Sequence, residues 1–179
     1  MAARTARKRI QWSKEPDEAP DYSDWKITLA KKCTSPTEET PSTVTFSVHR
    51  SLLGPQSEYF TRIFKSSDSA VSNNNNGAGD DCGAFSESKN QHSVIDLPPN
   101  ISDKAFDLFV KAFETLLGYC YLEDVDFKGT SPVPLFFVCD YFQMEDDFES
   151  KVYDYTENLL KKMASETKLH PLYEDIIEF

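Results

Sequence analysis

The chain has 179 residues, of which 39% are apolar and 27% charged, with a formal net charge of −11. That length holds one ordinary domain and little else. The negative charge repels phosphate backbones and anionic lipid head groups, so no nucleic-acid or membrane partner is expected.

Residues 1–22 carry a basic cluster (Arg4, Arg7, Lys8, Arg9), Pro16 and Pro20, and only isolated apolar residues. They are expected to form a largely unstructured tail. Over 24–29, Trp25, Ile27 and Leu29 alternate with Asp24, Lys26 and Thr28, the period of two of a strand with one buried face. Residues 30–43 are Thr-, Ser-, Pro- and Glu-rich and read as an inserted loop. Val44, Phe46 and Val48 then mark a second strand over 43–49, and the two strands together suggest a hairpin. A short helix from Arg50 to Leu53 stops at Gly54-Pro55. The next helix starts behind Ser57 as N-cap, with Tyr59, Phe60, Ile63 and Phe64 at three- and four-residue spacing. Residues 66–92, rich in Ser, Asn, Gly and Asp, offer no side chains from which to build a core. This second inserted loop, His92 included, is expected to be mobile and without stable secondary structure.

SVIDLP at 93–98 reads as a short third strand ended by prolines. A long helix follows from near Asp103, capped by Ser102. Its two similar heptads, AFDLFVK and AFETLLG, place Phe106, Phe109, Val110, Phe113, Leu116 and Leu117 on one broad apolar stripe. Val125 and Phe127 fit a short edge strand. Pro132 and Pro134 precede a dense apolar helix over 135–144, and Phe148, Val152, Tyr155, Leu159, Leu160 and Met163 pattern a final amphipathic helix. Beyond Pro171, HPLYEDIIEF adds one further turn or two. The fold class is therefore α+β, a small mixed sheet with a helical body. It comprises a tail over 1–22, a domain over 23–164, and a C-terminal extension over 165–179.

Chemistry-bearing motifs are absent from the sequence: no GxSxG, GxGxxG, P-loop or HExxH. The three histidines, His49, His92 and His170, are dispersed, and His49 at a strand-to-helix junction suits a structural role. The four cysteines (Cys33, Cys82, Cys120, Cys139) form no CxxC pair. Cys120 and Cys139 lie in apolar runs, where thiols behave as small hydrophobes. A reducing compartment, cytoplasmic or nuclear, fits this usage. The acids at 145–149 lack the glycine and ligand spacing of a calcium loop. Neither catalytic residues, a metal nor a cofactor is expected.

Six pieces in order carry a family resemblance. They are Asp24 opening the first strand, FSVHRSLL at 46–53, the Ser57-x-Tyr59-Phe60 helix start, SVIDLP, AFETLLGYCY at 112–121, and DYFQM at 140–144. Over about 24–160 the chain resembles the BTB/POZ domain family. The resemblance implies a non-enzymatic protein-interaction module, an adaptor linking a partner to a cullin-family ubiquitin ligase. The alternative is a self-assembling or transcription-related scaffold without cullin binding. It implies a partner-binding surface at Tyr121, Leu122, Glu123, Asp124, Phe142, Met144 and Glu145, and a charged pocket formed by Asp24 and Arg50. Core packing is the competing role for Tyr121, Phe142 and Met144. Family dimers of the exchanged-strand type use an apolar N-terminal helix. Residues 1–22 lack its pattern, so a monomer or weak dimer is expected.

Overall fold

A computed structural model describes residues 10–15, 17, 22–31, 42–72, 91–98, 101–122 and 125–165, with side chains over 66–72 excepted. The alternating segments pair as expected into a hairpin: β2 (Trp25–Lys31) runs antiparallel to β3 (Thr43–Val48), with Ile27 opposite Phe46. Ile27, Leu29, Phe46 and Val48 are fully buried, while Lys26 stays in water, as a strand with one solvated face requires. The tail contributes a strand that its composition concealed. β1 (Ser13–Lys14) pairs antiparallel with β3, and Trp12 packs edge-on to Phe46 at 5.8 Å. The expectation of an unstructured tail is corrected for these residues.

α1 (Arg50–Leu53) and a 3₁₀ turn over Gly54–Gln56 lead into α2 (Glu58–Ser72). The Ser57 hydroxyl accepts from the Phe60 N–H at 3.2 Å, the expected N-cap. Backbone helix continues to Ser72, seven residues into the stretch expected to lack secondary structure. Residues 73–90 of that stretch lie outside the described residues, as do 166–179 with the turn expected beyond Pro171.

β4 (His92–Leu97) runs parallel to β2, so the four-stranded mixed sheet has the order β1-β3-β2-β4. His92 therefore belongs to a strand and not to the loop. Its Nε2 lies 2.8 Å from Thr28 Oγ1, which lies 2.7 Å from Thr45 Oγ1, a polar ladder across three strands. On the core face the Trp25 indole N–H donates to Ser93 Oγ at 3.0 Å, tying β2 to β4.

α3 (Asp103–Cys120) begins at the expected cap, with Ser102 accepting from the Ala105 N–H. Its stripe of Phe106, Phe109, Phe113, Leu116 and Leu117 is buried. α4 is Pro132–Tyr141, so both prolines occupy its first turn, where missing N–H groups cost nothing, instead of preceding it. α5 is Asp146–Ser165. Val125 and Phe127 form no strand. Phe127 instead stacks on Tyr155 at 5.4 Å and stands near Phe148, pinning the 125–131 loop to α5. The sheet and helices close on a run of aromatic rings, in which Phe142 lies 5.2 Å from both Phe60 and Phe113, and Phe113 lies 5.2 Å from Phe46.

Candidate functional site

The helix end that carries most of the expected docking residues is shaped by one buried tyrosine. Tyr121 is 4% exposed, and its phenol oxygen accepts the His49 N–H at 2.8 Å while standing 2.8 Å from His49 Nδ1. This contact joins the C-terminus of α3 to the strand-to-helix junction before α1. Tyr121 is therefore core and supplies no docking surface of its own. The next residue behaves in the opposite way. Leu122 turns the chain out of the helix at φ 55°, held by its N–H on the Tyr119 carbonyl at 2.9 Å, and its side chain is 73% exposed. A leucine in the left-handed region costs about 1 kcal/mol or more. Glu123 and Asp124 lie outside the described residues.

On the other side of the corner, Phe142 is fully buried and Met144 is 8% exposed, so both are core and not a free docking surface. Gln143 adopts φ 48°, letting the chain reverse between α4 and α5. Met144 bridges Ser57, the Glu58 N–H reaches the Gln143 carbonyl, the Glu145 N–H reaches the Gln56 carbonyl, and Ser57 Oγ donates to the Phe142 carbonyl at 2.5 Å. These bonds fix the start of α5 against the 3₁₀ turn. Glu145 is exposed and borders a groove of about 850 Å³ between α2 and the α5 N-terminus, with Thr61 and Met144 at its base and Arg62, Lys65, Glu58 and Asp146 around it.

The two halves of the corner are locked by residues that the sequence reading did not single out. The Tyr119 phenol donates to Asp147 Oδ2 at 2.8 Å, Lys151 donates to the same oxygen at 2.6 Å, and the Lys151 ammonium sits 4.9 Å from the Tyr119 ring centre. Burial and then the Asp147 hydrogen bond push the Tyr119 phenol well above its ordinary range. The Lys151 and Tyr119 hydrogen bonds hold the Asp147 carboxyl low. Only the Asp147–Lys151 spacing of four on one helix was visible beforehand. Leu122 and Glu145 thus flank a fixed junction whose exposed rim, Glu145, Asp146 and Asp147, is acidic.

Asp24 and Arg50 are in direct contact. Asp24 Oδ1 accepts the Arg50 N–H at 2.9 Å, and Oδ2 accepts from Arg50 Nε at 3.0 Å. The guanidinium also lies 5.8 Å from the Trp25 ring centre. The backbone bond lets Asp24, just ahead of β2, satisfy the first N–H of α1, a structural duty beside any pocket role. The pair is partly exposed, 28% for Arg50 and 40% for Asp24, so its electrostatic contribution is screened.

Among the described residues there is no group of three or more His, Cys, Asp or Glu able to hold a metal ion. No described helix is long and apolar enough to cross a membrane. Burial pushes the Cys120 and Cys139 thiols up to about 12, the reverse of an activated nucleophile. Comparison with family models and with curated proteins found no match to the chain.

Proposed function

We propose that this chain is a protein-interaction module of the BTB/POZ type that presents the α3–α5 corner to a protein partner, with a cullin-family scaffold as the first candidate. One observation carries the reading: Leu122, 73% exposed on left-handed backbone, stands at the corner whose rim is Glu145, Asp146 and Asp147. An apolar side chain in water, on the helix end that Tyr119 ties to the acidic start of α5, has the makeup of an interface centre and its rim. Its backbone strain is of the kind that persists at functional positions. The family part of the proposal rests on the order of elements and on the quoted motifs, with the Asp24–Arg50 contact in support.

Leu122→Gly separates interface from fold. Glycine tolerates φ 55° without strain, so the melting temperature stays level or rises, while an apolar anchor is removed. Titration of a purified cullin N-terminal domain by calorimetry is expected to show binding by the native chain, loss of about tenfold or more in the variant, and weaker association at high salt. Unchanged affinity in the variant sinks the corner as the docking site. If the native chain binds no cullin at all, the adaptor reading fails and a self-assembling scaffold takes its place.

A further inference from the structure

A surface helix normally shows water a polar face. α4 does not: among its ten residues Asp140 is the one charged side chain. Its inward arc is Pro132, Pro134, Leu135, Val138 and Cys139, and two aromatics lie on its flanks, Tyr141 beside Tyr59 of α2 at 5.6 Å and the half-buried Phe136 towards α5. α5 continues the same surface. The Phe136 ring stands 4.9 Å from Tyr153, so the outward sides of the two helices meet. Tyr153 is 57% exposed and Leu160, two turns further along the same side, is 55% exposed. Together they form a mostly aromatic strip, the composition enriched at interfaces.

The strip has a negative border. Asp140 and Asp154 are exposed, and the half-buried Glu149 lies one helical turn before Tyr153 on α5. Lys161, beside Leu160, is engaged by Glu157 at 2.7 Å. A second copy of a chain of net charge −11, apposed through this face, would set acids against acids. A cationic partner meets no such penalty. Tyr153 and Leu160 also sit seven apart on α5, a spacing that a crossing helix with anchors at i, i+3/i+4 and i+7 can match.

We propose that the outer face of the α4–α5 hairpin, centred on Phe136, Tyr153 and Leu160, docks an amphipathic helix of a partner protein whose apolar side chains are flanked by lysine or arginine. This site is separate from the Leu122 corner, because Tyr119 engages the opposite flank of α5 through Asp147 and Lys151.

The test uses the full chain and a synthetic amphipathic helical peptide with leucines on one face and lysines beside them. Two controls accompany it, one with glutamates replacing the lysines and one with the sequence shuffled to abolish the apolar face. Fluorescence anisotropy is expected to show binding of the lysine peptide alone, weakening with salt. Tyr153→Ser with Leu160→Ser is expected to cut the affinity about tenfold at an unchanged melting temperature. Leu160→Ser alone, at a side chain 55% exposed, gives the same reading should the double variant fail to fold. Equal binding of either control peptide, or native affinity in the folded variants, overturns the proposal. A dimer in sedimentation equilibrium that the double variant dissociates assigns the face to a second copy and overturns it too. So does a gain in peptide affinity on removing residues 166–179, which would assign the face to the chain's own C-terminal segment.

Discussion

Tyr121 and Leu122 are neighbours with opposite duties, and the difference lies in backbone direction. Tyr121 ends the helix with its side chain turned inward, where the phenol satisfies the His49 N–H and faces the His49 ring. Removing the phenol leaves a buried N–H without its acceptor, at a cost of about 1–3 kcal/mol. Tyr121→Phe is therefore expected to lower the denaturant midpoint at constant m-value, while leaving partner affinity at the Leu122 corner intact when measured well below the melting point. A variant that loses affinity with unchanged stability would return Tyr121 to the interface. The same pair shows the reach of sequence reading at this scale. Both residues follow an apolar stripe, and a hydropathy pattern assigns both to the core or neither. The sign of φ at position 122 decides between them.

At the scale of elements, α3 and α4 carry the two described free thiols, Cys120 and Cys139, both buried. Burial is the main reason each lies far above its ordinary value of 9.0, with the charges of Glu145 and Glu149 adding to the rise. The sign follows from linkage: the native state keeps these protons while the unfolded state releases them above about pH 9. Stability from this source is fully present below pH 9.0 and is lost as pH rises towards about 12. The melting temperature is expected to fall over that window, and Cys120→Ala with Cys139→Ala to flatten the fall. Thermal scans of both proteins between neutral pH and pH 10.5, about one and a half units above the ordinary thiol value, check it. An equal slope in the double variant would assign alkaline loss to other groups, Tyr119 and Tyr155 first among them, since burial leads the upward shift of each. Helix boundaries were readable where a local cap fixes them, as at Ser57 and Ser102. They were misjudged where the determinant is not local. Pro132 and Pro134 read as preceding the helix, yet a proline's effect depends on whether the N–H it lacks is needed, and in a first turn it is not.

For the whole molecule, the placement of β1 bears on assembly. Ser13 and Lys14 pair with Ser47 and Phe46 of the same chain, and Lys14 donates to Glu114 on α3 at 2.9 Å. A strand satisfied within its own chain has less to gain from crossing to a partner. We therefore expect a monomer or a weak dimer. Sedimentation equilibrium at micromolar concentration should give the mass of one chain, and a dimer surviving nanomolar dilution would require another apolar contact.

The sequence by itself determined the α+β class, the hairpin, both helix caps, and the apolar faces of α2, α3 and, Leu160 apart, α5, because periodicity and capping are properties of neighbouring residues. The tertiary structure alone decided the parallel pairing of β4 with β2, the recruitment of Ser13–Lys14 into the sheet, and the withdrawal of Phe127 from any strand. It alone buried Tyr121, Phe142 and Met144 while leaving Leu122 in water, and brought Tyr119 onto Asp147 across the corner. Each of those outcomes is a contact between residues far apart in the chain. Its free energy depends on which surfaces meet, and no local pattern of apolar and polar side chains encodes that.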